Sequence, residues 1–289
     1  MDVRSLFRIG ASHFVDHDHY IVHVPVQRLQ GPTSILEIGI GASTLLRAQI
    51  PPRISLKFEP PHRRMARFNP HHASLSLDNL SNKVIVLSGG STGIGAATVH
   101  LLDSQGAKVV FGDVVPAKHS VGDFFRTDVS KYDDTHALFQ YALHKYGRID
   151  HAVANAGVIE QPGWFQPDGI ESLQQPPPDL VVDVNLKGTL YFAHIALQYL
   201  AATKGITDHS LTVLSSQAGF KETPGLFVYQ ATKHAILGLM RSLRLYTPAS
   251  FGVRVNAVCP SMTTTQMVAG IQDAWKAGGN PVNHPEDIA

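Results

Sequence analysis

Cysteine is almost missing from this chain: Cys259 stands alone among 289 residues. That excludes an internal disulfide framework and fits a reducing compartment, with the cytoplasm as the expected location. Charge of one sign is lacking as well. The formal net charge is +1, which gives no basis for expecting nucleic acid or an anionic membrane as partner. No apolar run reaches the roughly 18 residues a membrane-spanning helix needs. The start also lacks the continuous apolar stretch of a secretory signal. Arg4 and Arg8 flank Leu6 and Phe7 in the manner of a mitochondrial presequence, but Asp2 and the mixed Asp/His run after it argue for the cytosol. What remains is an ordinary globular composition, 44% hydrophobic and 16% charged, long enough to bury a substantial core.

The chain changes character near residue 80. Residues 1–78 alternate short apolar runs with Pro51-Pro52, Pro60-Pro61, Arg63-Arg64 and His71-His72, and sustain neither helical nor strand periodicity. They are expected to form an irregular N-terminal extension, and residues 79–289 the working domain. Two motifs in the extension are decoys. Leu36-Glu37-Ile38-Gly39-Ile40-Gly41 looks like the first motif of an S-adenosylmethionine-dependent methyltransferase, but a different nucleotide motif begins at Ser88 and leaves such a fold no room. His13, His17, His19 and His23 contain i, i+4 pairs able to hold zinc on a helix. With no cysteine nearby, they read better as a solvated His-rich stretch, and no metal site is expected.

From Lys83 the pattern becomes regular. Val84-Ile85-Val86-Leu87 is continuously apolar, as in a strand buried on both faces of a parallel sheet. A helix is expected from Ile94 to about Gln105, and a strand over Lys108–Phe111. Helix follows near Asp134–Lys145, strand at Asp150–Ala154, and a long helix over Asp179–Ala202. Strand at Leu211–Leu214, helix at Val228–Leu245 and strand at Val253–Val258 complete the series. The alternation predicts an α/β fold, a doubly wound, Rossmann-like parallel sheet.

The stretch Ser88-Gly89-Gly90-Ser91-Thr92-Gly93-Ile94-Gly95 sits after a buried strand and opens a helix. Glycines there permit close backbone approach, and free N–H groups at the helix start face a pyrophosphate. Asp113 ends the next strand, 113 − 95 = 18 residues on, near the ~20 expected for a carboxylate that binds the adenosine ribose hydroxyls. It repels a 2′-phosphate, and neither Thr92 nor Val114 supplies a basic partner for one. NAD is therefore favoured over NADP. Farther along, Tyr229-Gln230-Ala231-Thr232-Lys233 follows Ser216 by 229 − 216 = 13 residues. Tyr141 and Lys145 repeat the Tyr-x-x-x-Lys spacing, yet Asp128 stands thirteen residues before Tyr141, so the pentapeptide alone carries nothing.

Together these motifs resemble the short-chain dehydrogenases/reductases, over about Ser81 to Met267. The family's Thr-Gly-x-x-x-Gly-x-Gly is met with Ser88 in place of Thr. Asp128-Val129 resembles its adenine-contacting pair, and Ala154-Asn155-Ala156-Gly157 its Asn-Asn-Ala-Gly, with Ala154 replacing the first Asn. Asn185 matches the Asn that kinks the long helix and holds a relay water. Cys259-Pro260-Ser261 stands where the family has Pro-Gly, and Thr265 matches a nicotinamide-side Thr. The resemblance implies a Tyr229 general acid/base with Ser216 binding the substrate oxygen and Lys233 gripping the nicotinamide ribose. It implies a dehydrogenase acting on a small-molecule alcohol or ketone, with small-molecule metabolism, secondary metabolites included, as its setting. The Lys233 ammonium, with oxidised nicotinamide, is expected to lower the Tyr229 pKa from its usual value near ~10. Gln217, Phe220 and Phe227, with Trp164 and Phe165, are expected near a hydrophobic substrate.

Only 289 − 261 = 28 residues follow Ser261, so the family's last helix and strand are expected to be missing. That would leave Val253–Val258 as an unprotected edge and the oligomeric state open between monomer and homo-oligomer. It also keeps a second reading alive, a catalytically silent member that binds nucleotide or a protein partner.

Overall fold

The computed structural model describes residues 80–289 apart from 119, 204, 206 and 207, together with the backbone of two short strands in the N-terminal unit. The chain divides into two compact units, Met1–His72 and Ala73–Ala289. In the first, β1 (Ile35–Gly39) pairs antiparallel with β2 (Leu45–Gln49), so that Ile35 faces Gln49 and Gly39 faces Leu45. The histidines at 13, 17, 19 and 23 and the end of the methyltransferase-like motif lie outside the described residues.

The second unit is a six-stranded parallel sheet in the order β5-β4-β3-β6-β7-β8. β3 (Val84–Ser88), β4 (Lys108–Asp113) and β5 (Asp123–Arg126) run outward from the centre to one edge. The chain then returns through α2 (Tyr132–Tyr146) to β6 (His151–Ala154), on the other side of β3. β7 (His209–Leu214) and β8 (Val253–Val258) extend the sheet from there. This reversal opens a crevice between the carboxyl ends of β3 and β6, where doubly wound sheets bind their ligands. α1 (Gly93–Ser104), α3 (Thr189–Ala202) and α4 (Phe227–Phe251) cover the two faces.

The apolar run of β3 explains itself in this setting. Ile85 and Leu87 point into a core with Val99, Val109 and Phe111 beneath α1. Val86 points the other way, among Leu138, Phe139, Phe192, Leu211 and Ile236 of α2, α3, β7 and α4. All four apolar residues of β3 are at most 2% exposed. Each such side chain contributes about 1.5–3 kcal/mol of transfer free energy, which fixes β3 at the sheet centre. Asp133 and Asp134 favour the start of α2 through the helix dipole, and Gly147 ends it at φ 71° with its N–H on the Leu143 carbonyl.

Several elements depart from the sequence reading. β5 was not anticipated: a four-residue Asp-Phe-Phe-Arg segment has neither the length nor the alternation that marks a strand. It is held by Phe124 against Phe111 and Phe125 against Tyr141, with ring centroids 5.8 and 5.1 Å apart. The decoy Lys145 ties α2 to this strand through Asp123 at 2.6 Å. The long helix is not one α-helix, since Val182–Gly188 is a π-helical segment that precedes α3. α4 continues past Leu245, through Pro248, to Gly252 at φ 68°. β8 is the sheet's edge among the described residues, as expected. No helix among them is long and apolar enough to cross a membrane.

Opposite the crevice, Asp150 precedes β6 and is fully buried. Its carboxylate accepts from the Val84 amide at 2.9 Å and Arg148 Nε at 3.0 Å, with Lys83 Nζ at 3.5 Å. Burial works to raise its pKa, but the Arg148 and Val84 hydrogen bonds and the two cations outweigh it and hold the carboxyl below its ordinary range. A depressed acid supplies stability that is present above pH ~4 and is lost as the pH falls through the folded pKa. Asp150→Ala is expected to cost about 3 kcal/mol at neutral pH in urea unfolding, because Arg148 and the Val84 amide lose their partner. The difference from wild type should shrink on acidification below pH ~4; a cost independent of pH would contradict the ion-pair account.

Candidate active site

The glycine run folds as a turn that only glycine can make at its tightest point. A Cβ on Gly95 would lie 1.8 Å from the Gly89 carbonyl oxygen and 2.5 Å from Asn155 Nδ2. Gly89 itself takes φ +75°, and its Cβ would meet the Ala156 backbone at 2.7 Å. The contact is closed by hydrogen bonds. Asn155 Nδ2 donates to the Gly89 carbonyl at 2.7 Å, and the Ser88 hydroxyl accepts from the amides of Asn155 and Ala156 at 3.1 and 3.2 Å. Ser88 thus joins the ends of β3 and β6. Thr92 precedes α1 in an extended conformation and leaves the first turn, with Gly93, Ile94 and Gly95, without a side-chain cap from its own oxygen. Thr265 comes in above, its Cγ2 3.0 Å from where a Gly93 Cβ would stand.

Asp113 lies at the carboxyl end of β4, beside this turn. One carboxylate oxygen accepts from the Ser91 amide at 3.0 Å and the other from the Val115 amide at 3.3 Å. The Ser91 hydroxyl donates to the Val115 carbonyl at 2.7 Å, so the loop after β4 is laced to the glycine turn. Asp128 is held differently. Burial would raise its pKa, yet the Ser130 hydroxyl and amide and the Lys131 charge keep it below the usual carboxylate range. Val129 packs on Gly188, within 2.9 Å of a Cβ placed there.

Asn185 sits in the π-helical segment and is fully buried. Its Oδ1 accepts from the Val158 amide at 2.8 Å and its Nδ2 donates to the Val158 carbonyl at 2.9 Å. Thr232 Oγ1 lies 3.4 Å from the same nitrogen. The side-chain amide therefore clamps the loop after Gly157 and is committed to that task.

Ser216 follows β7 and caps a short 3-10 turn, accepting from the Ala218 amide at 3.2 Å. Its side chain lies near enough to the Tyr229 phenol to favour the phenolate. Lys233, one helical turn after Tyr229, places its Nζ 5.5 Å from the tyrosine ring centroid and donates to the Leu214 carbonyl at 3.1 Å. The same nitrogen lies 3.6 Å from where a Gly157 Cβ would be. Ser216, Tyr229 and Lys233 thus meet beside Gly157, at the mouth of the crevice.

Burial dominates the electrostatics of this trio. In the protein alone, burial pushes the Tyr229 phenol up, and only the Ser216 hydroxyl works against it. Burial pushes Lys233 down to about 8, a trend that the nearby Cys259 thiol opposes. The lowering of Tyr229 expected from Lys233 together with oxidised nicotinamide concerns the cofactor-bound protein; in the residues by themselves desolvation weighs on both groups at once.

The remaining expected residues are spread more widely. The Pro260 carbonyl accepts from the Gln217 amide at 2.9 Å, and Ser261 Oγ donates to Gln217 Oε1 at 3.1 Å. Ser261 thereby anchors the Gln217 side chain. Phe227 stacks edge-on against Phe165 at 5.3 Å, and Trp164 lies 6.1 Å from Phe165 and donates to the Pro178 carbonyl at 2.8 Å. Phe220 is 54% exposed and Phe227 41%. Sequence reasoning missed Glu160, whose carboxylate accepts from the amides of Val228 and Tyr229 at 3.2 and 2.6 Å. No local signal reveals it, because its partners are more than sixty residues away.

A family model for short chain dehydrogenases matches residues 83–276, which span the glycine turn, Asn155, Asn185, Ser216, Tyr229 and Lys233. The chain belongs to the short-chain dehydrogenases. It is 34% identical over 213 residues to the short-chain dehydrogenase/reductase prx4 of Penicillium roqueforti, covering 72% of this chain and 63% of that protein. It is 38% identical over 197 residues to ascJ of Acremonium egyptiacum, covering 65% and 66%. A cis-4-hydroxycyclohexanecarboxylate dehydrogenase of Sinomonas cyclohexanicum is 31% identical over 72% of this chain and 87% of its own. The chain thus spans less than two thirds of the prx4 length. Among solved structures, the Thermoplasma acidophilum aldohexose dehydrogenase superposes with TM-score 0.61 at 26% identity, covering 73% and 85% of the two chains. A 3-ketoacyl-(acyl-carrier-protein) reductase from Brucella melitensis, solved with NADH, has the same fold at TM-score 0.61 and 24% identity, covering 72% and 88%.

Lys233 supplies a test that is independent of substrate. The unfolded chain holds this proton up to pH ~10.4, whereas the folded protein releases it near 8. Below pH 8 the full desolvation penalty weighs on the fold, and it is relieved as the pH rises from 8 toward 10.4. Lys233→Met in this short-chain dehydrogenase is expected to raise stability at pH 7 by about 1–3 kcal/mol in denaturant unfolding. The gain should shrink at pH 9.5. A less stable variant would mean that the Leu214 hydrogen bond outweighs desolvation.

Proposed function

We propose that the chain is an oxidoreductase that transfers a hydride between NAD(H) and a secondary alcohol or ketone of a small, hydrophobic substrate, with Tyr229 as general acid/base. The observation that carries this reading is the meeting of Ser216, Tyr229 and Lys233 beside Gly157, next to a glycine turn that opens α1. The residues present fit the cofactor. Gly93, Ile94 and Gly95 open α1 with no side-chain cap from Thr92, which leaves the first-turn amides to face a pyrophosphate, with Thr265 packed over Gly93. We assign the Asp113 carboxylate, at the end of β4, to the adenosine ribose hydroxyls; its charge disfavours a 2′-phosphate, hence NAD rather than NADP. Ser91, Thr92, Asp128, Val129, Asn155, Ala156, Pro260 and Thr265 complete the proposed cofactor contacts.

Bound NAD(H) supplies or takes up the hydride. The protein handles the proton and the developing charge. The Ser216 hydroxyl donates a hydrogen bond to the substrate oxygen, which carries negative charge in the transition state. In reduction, the Tyr229 phenol gives its proton to that oxygen; in oxidation the phenolate takes it back. Burial keeps the phenol protonated in the protein alone, so a positive charge close to it is needed to favour the phenolate, and Lys233 is the ammonium in reach. Lys233 would also hold the nicotinamide ribose, and Asn185 keeps the loop after Gly157 in place beneath it.

Phe165, Phe227 and Trp164, with Phe220 and Gln217, form the proposed substrate wall, and their rings suit an alicyclic or aromatic secondary alcohol. The likeness to a dehydrogenase of a hydroxycyclohexane carboxylate supports that class. A silent nucleotide binder would have no chemical need for all three of Ser216, Tyr229 and Lys233.

Titration with NADH, followed by its fluorescence, is expected to saturate at least tenfold more tightly than with NADPH. Asp113→Ser should narrow that gap. Tyr229→Phe should keep NADH affinity while lowering oxidation of a probe alcohol such as cyclohexanol about a thousandfold. Turnover undiminished in Tyr229→Phe would remove the proposed acid/base.

A further inference from the structure

The catalytic helix begins without a cap of its own. α4 starts at Phe227, and the residue before it, Leu226, has no oxygen in its side chain to accept from the first-turn amides. Tyr229 stands in that first turn, where helices fray most readily. Lys233, by contrast, sits a full turn deeper, 5% exposed, with Nζ on the Leu214 carbonyl and its own carbonyl accepting from Ser215 Oγ at 2.8 Å. The lysine is fixed by its surroundings, whereas the tyrosine needs its peptide held.

We infer that Glu160 is a positioning residue for Tyr229, capping α4 from across the active site. Its carboxylate bridges two consecutive orphan donors, Oε1 with the Val228 amide at 3.2 Å and Oε2 with the Tyr229 amide at 2.6 Å. A charged acceptor at a helix N-terminus is favoured both by the hydrogen bonds and by the helix dipole. Glu160 is itself well placed to act as a fixed point. It lies two residues beyond Val158, whose amide and carbonyl are both clamped by the buried Asn185 side chain. Asn185 and Glu160 therefore link the π-helical segment, the loop after β6 and the first turn of α4 into one frame. A carboxylate within α4's own sequence would tie the turn only to itself. One supplied from the loop after Gly157 sets the distance between Tyr229 and the floor of the proposed cofactor site.

The catalytic meaning of this frame rests on the function proposed above, so the test has two arms. Glu160→Gln keeps one acceptor oxygen and Glu160→Ala keeps none. Amide hydrogen exchange of the ligand-free protein, read by mass spectrometry on peptides covering 226–232, should quicken on the order of tenfold in Glu160→Ala. Glu160→Gln should fall between it and wild type, and peptides from the later turns of α4 should be unchanged. Unaltered exchange in both variants would overturn the cap. In the second arm, NAD-dependent oxidation of cyclohexanol should show kcat falling in the order Glu, Gln, Ala, about tenfold or more in Glu160→Ala, with NADH affinity within about twofold of wild type. Faster exchange with unchanged kcat would overturn the positioning role, as would a loss of kcat matched by an equal loss of NADH affinity. If wild type binds no NADH and oxidises no alcohol, the proposed function fails, and the exchange arm alone decides whether Glu160 holds the turn.

Discussion

The Gly89 carbonyl, the Asn155 side-chain amide and the Cα of Gly95 meet in a space that admits no further atom. A Cβ at Gly95 would stand 1.8 Å from that carbonyl. This approach lets α1 begin directly over the end of β3, and it couples the glycine turn to the loop after β6. The partners on that second loop carry the coupling onward. Gly157 lies against Lys233 and Asn185, and Val158 is clamped by Asn185. The two halves of the crevice are therefore spaced by one backbone contact that tolerates only glycine. The switch in strand order puts the contact where the sheet opens.

A second constraint is electrostatic. The site holds a phenol whose proton burial retains and an ammonium whose proton burial loosens. Both shifts share one cause, removal from water, and both are opposed only by close neighbours, Ser216 for the tyrosine and Cys259 for the lysine. Such opposed pressures on adjacent groups are typical of sites built for proton transfer. The buried ion cluster around Asp150, at the other end of β6, behaves differently. Its hydrogen bonds and cations overcome burial, and it secures the sheet rather than any chemistry.

Much of this was legible in the sequence because the signals are local. Val84–Leu87 reads as a two-face buried strand, and the glycine spacing after it reads as a phosphate turn. The pairing of Ser216 with Tyr229 and Lys233 sets that motif apart from Tyr141 and Lys145, of which Lys145 forms a salt bridge to Asp123 and Tyr141 packs on Phe125. What stayed hidden depends on partners distant along the chain. β5 is too short to declare itself and is held by aromatic contacts to β4 and α2. The π-helical turn at Val182–Gly188 arises where Asn185 turns inward to Val158. Glu160 carries no motif at all, and its role exists only once the fold brings the start of α4 to it.

The most direct test of this account is a crystal structure of the protein with NADH. The pyrophosphate is expected against the amides of Gly93 and Ile94, the adenosine ribose on Asp113, and the nicotinamide ribose on Lys233 and Tyr229, with Ser216 and Tyr229 facing an open substrate position. A dinucleotide bound away from the β3/β6 crevice, or lying in it with the nicotinamide remote from Tyr229, would contradict it.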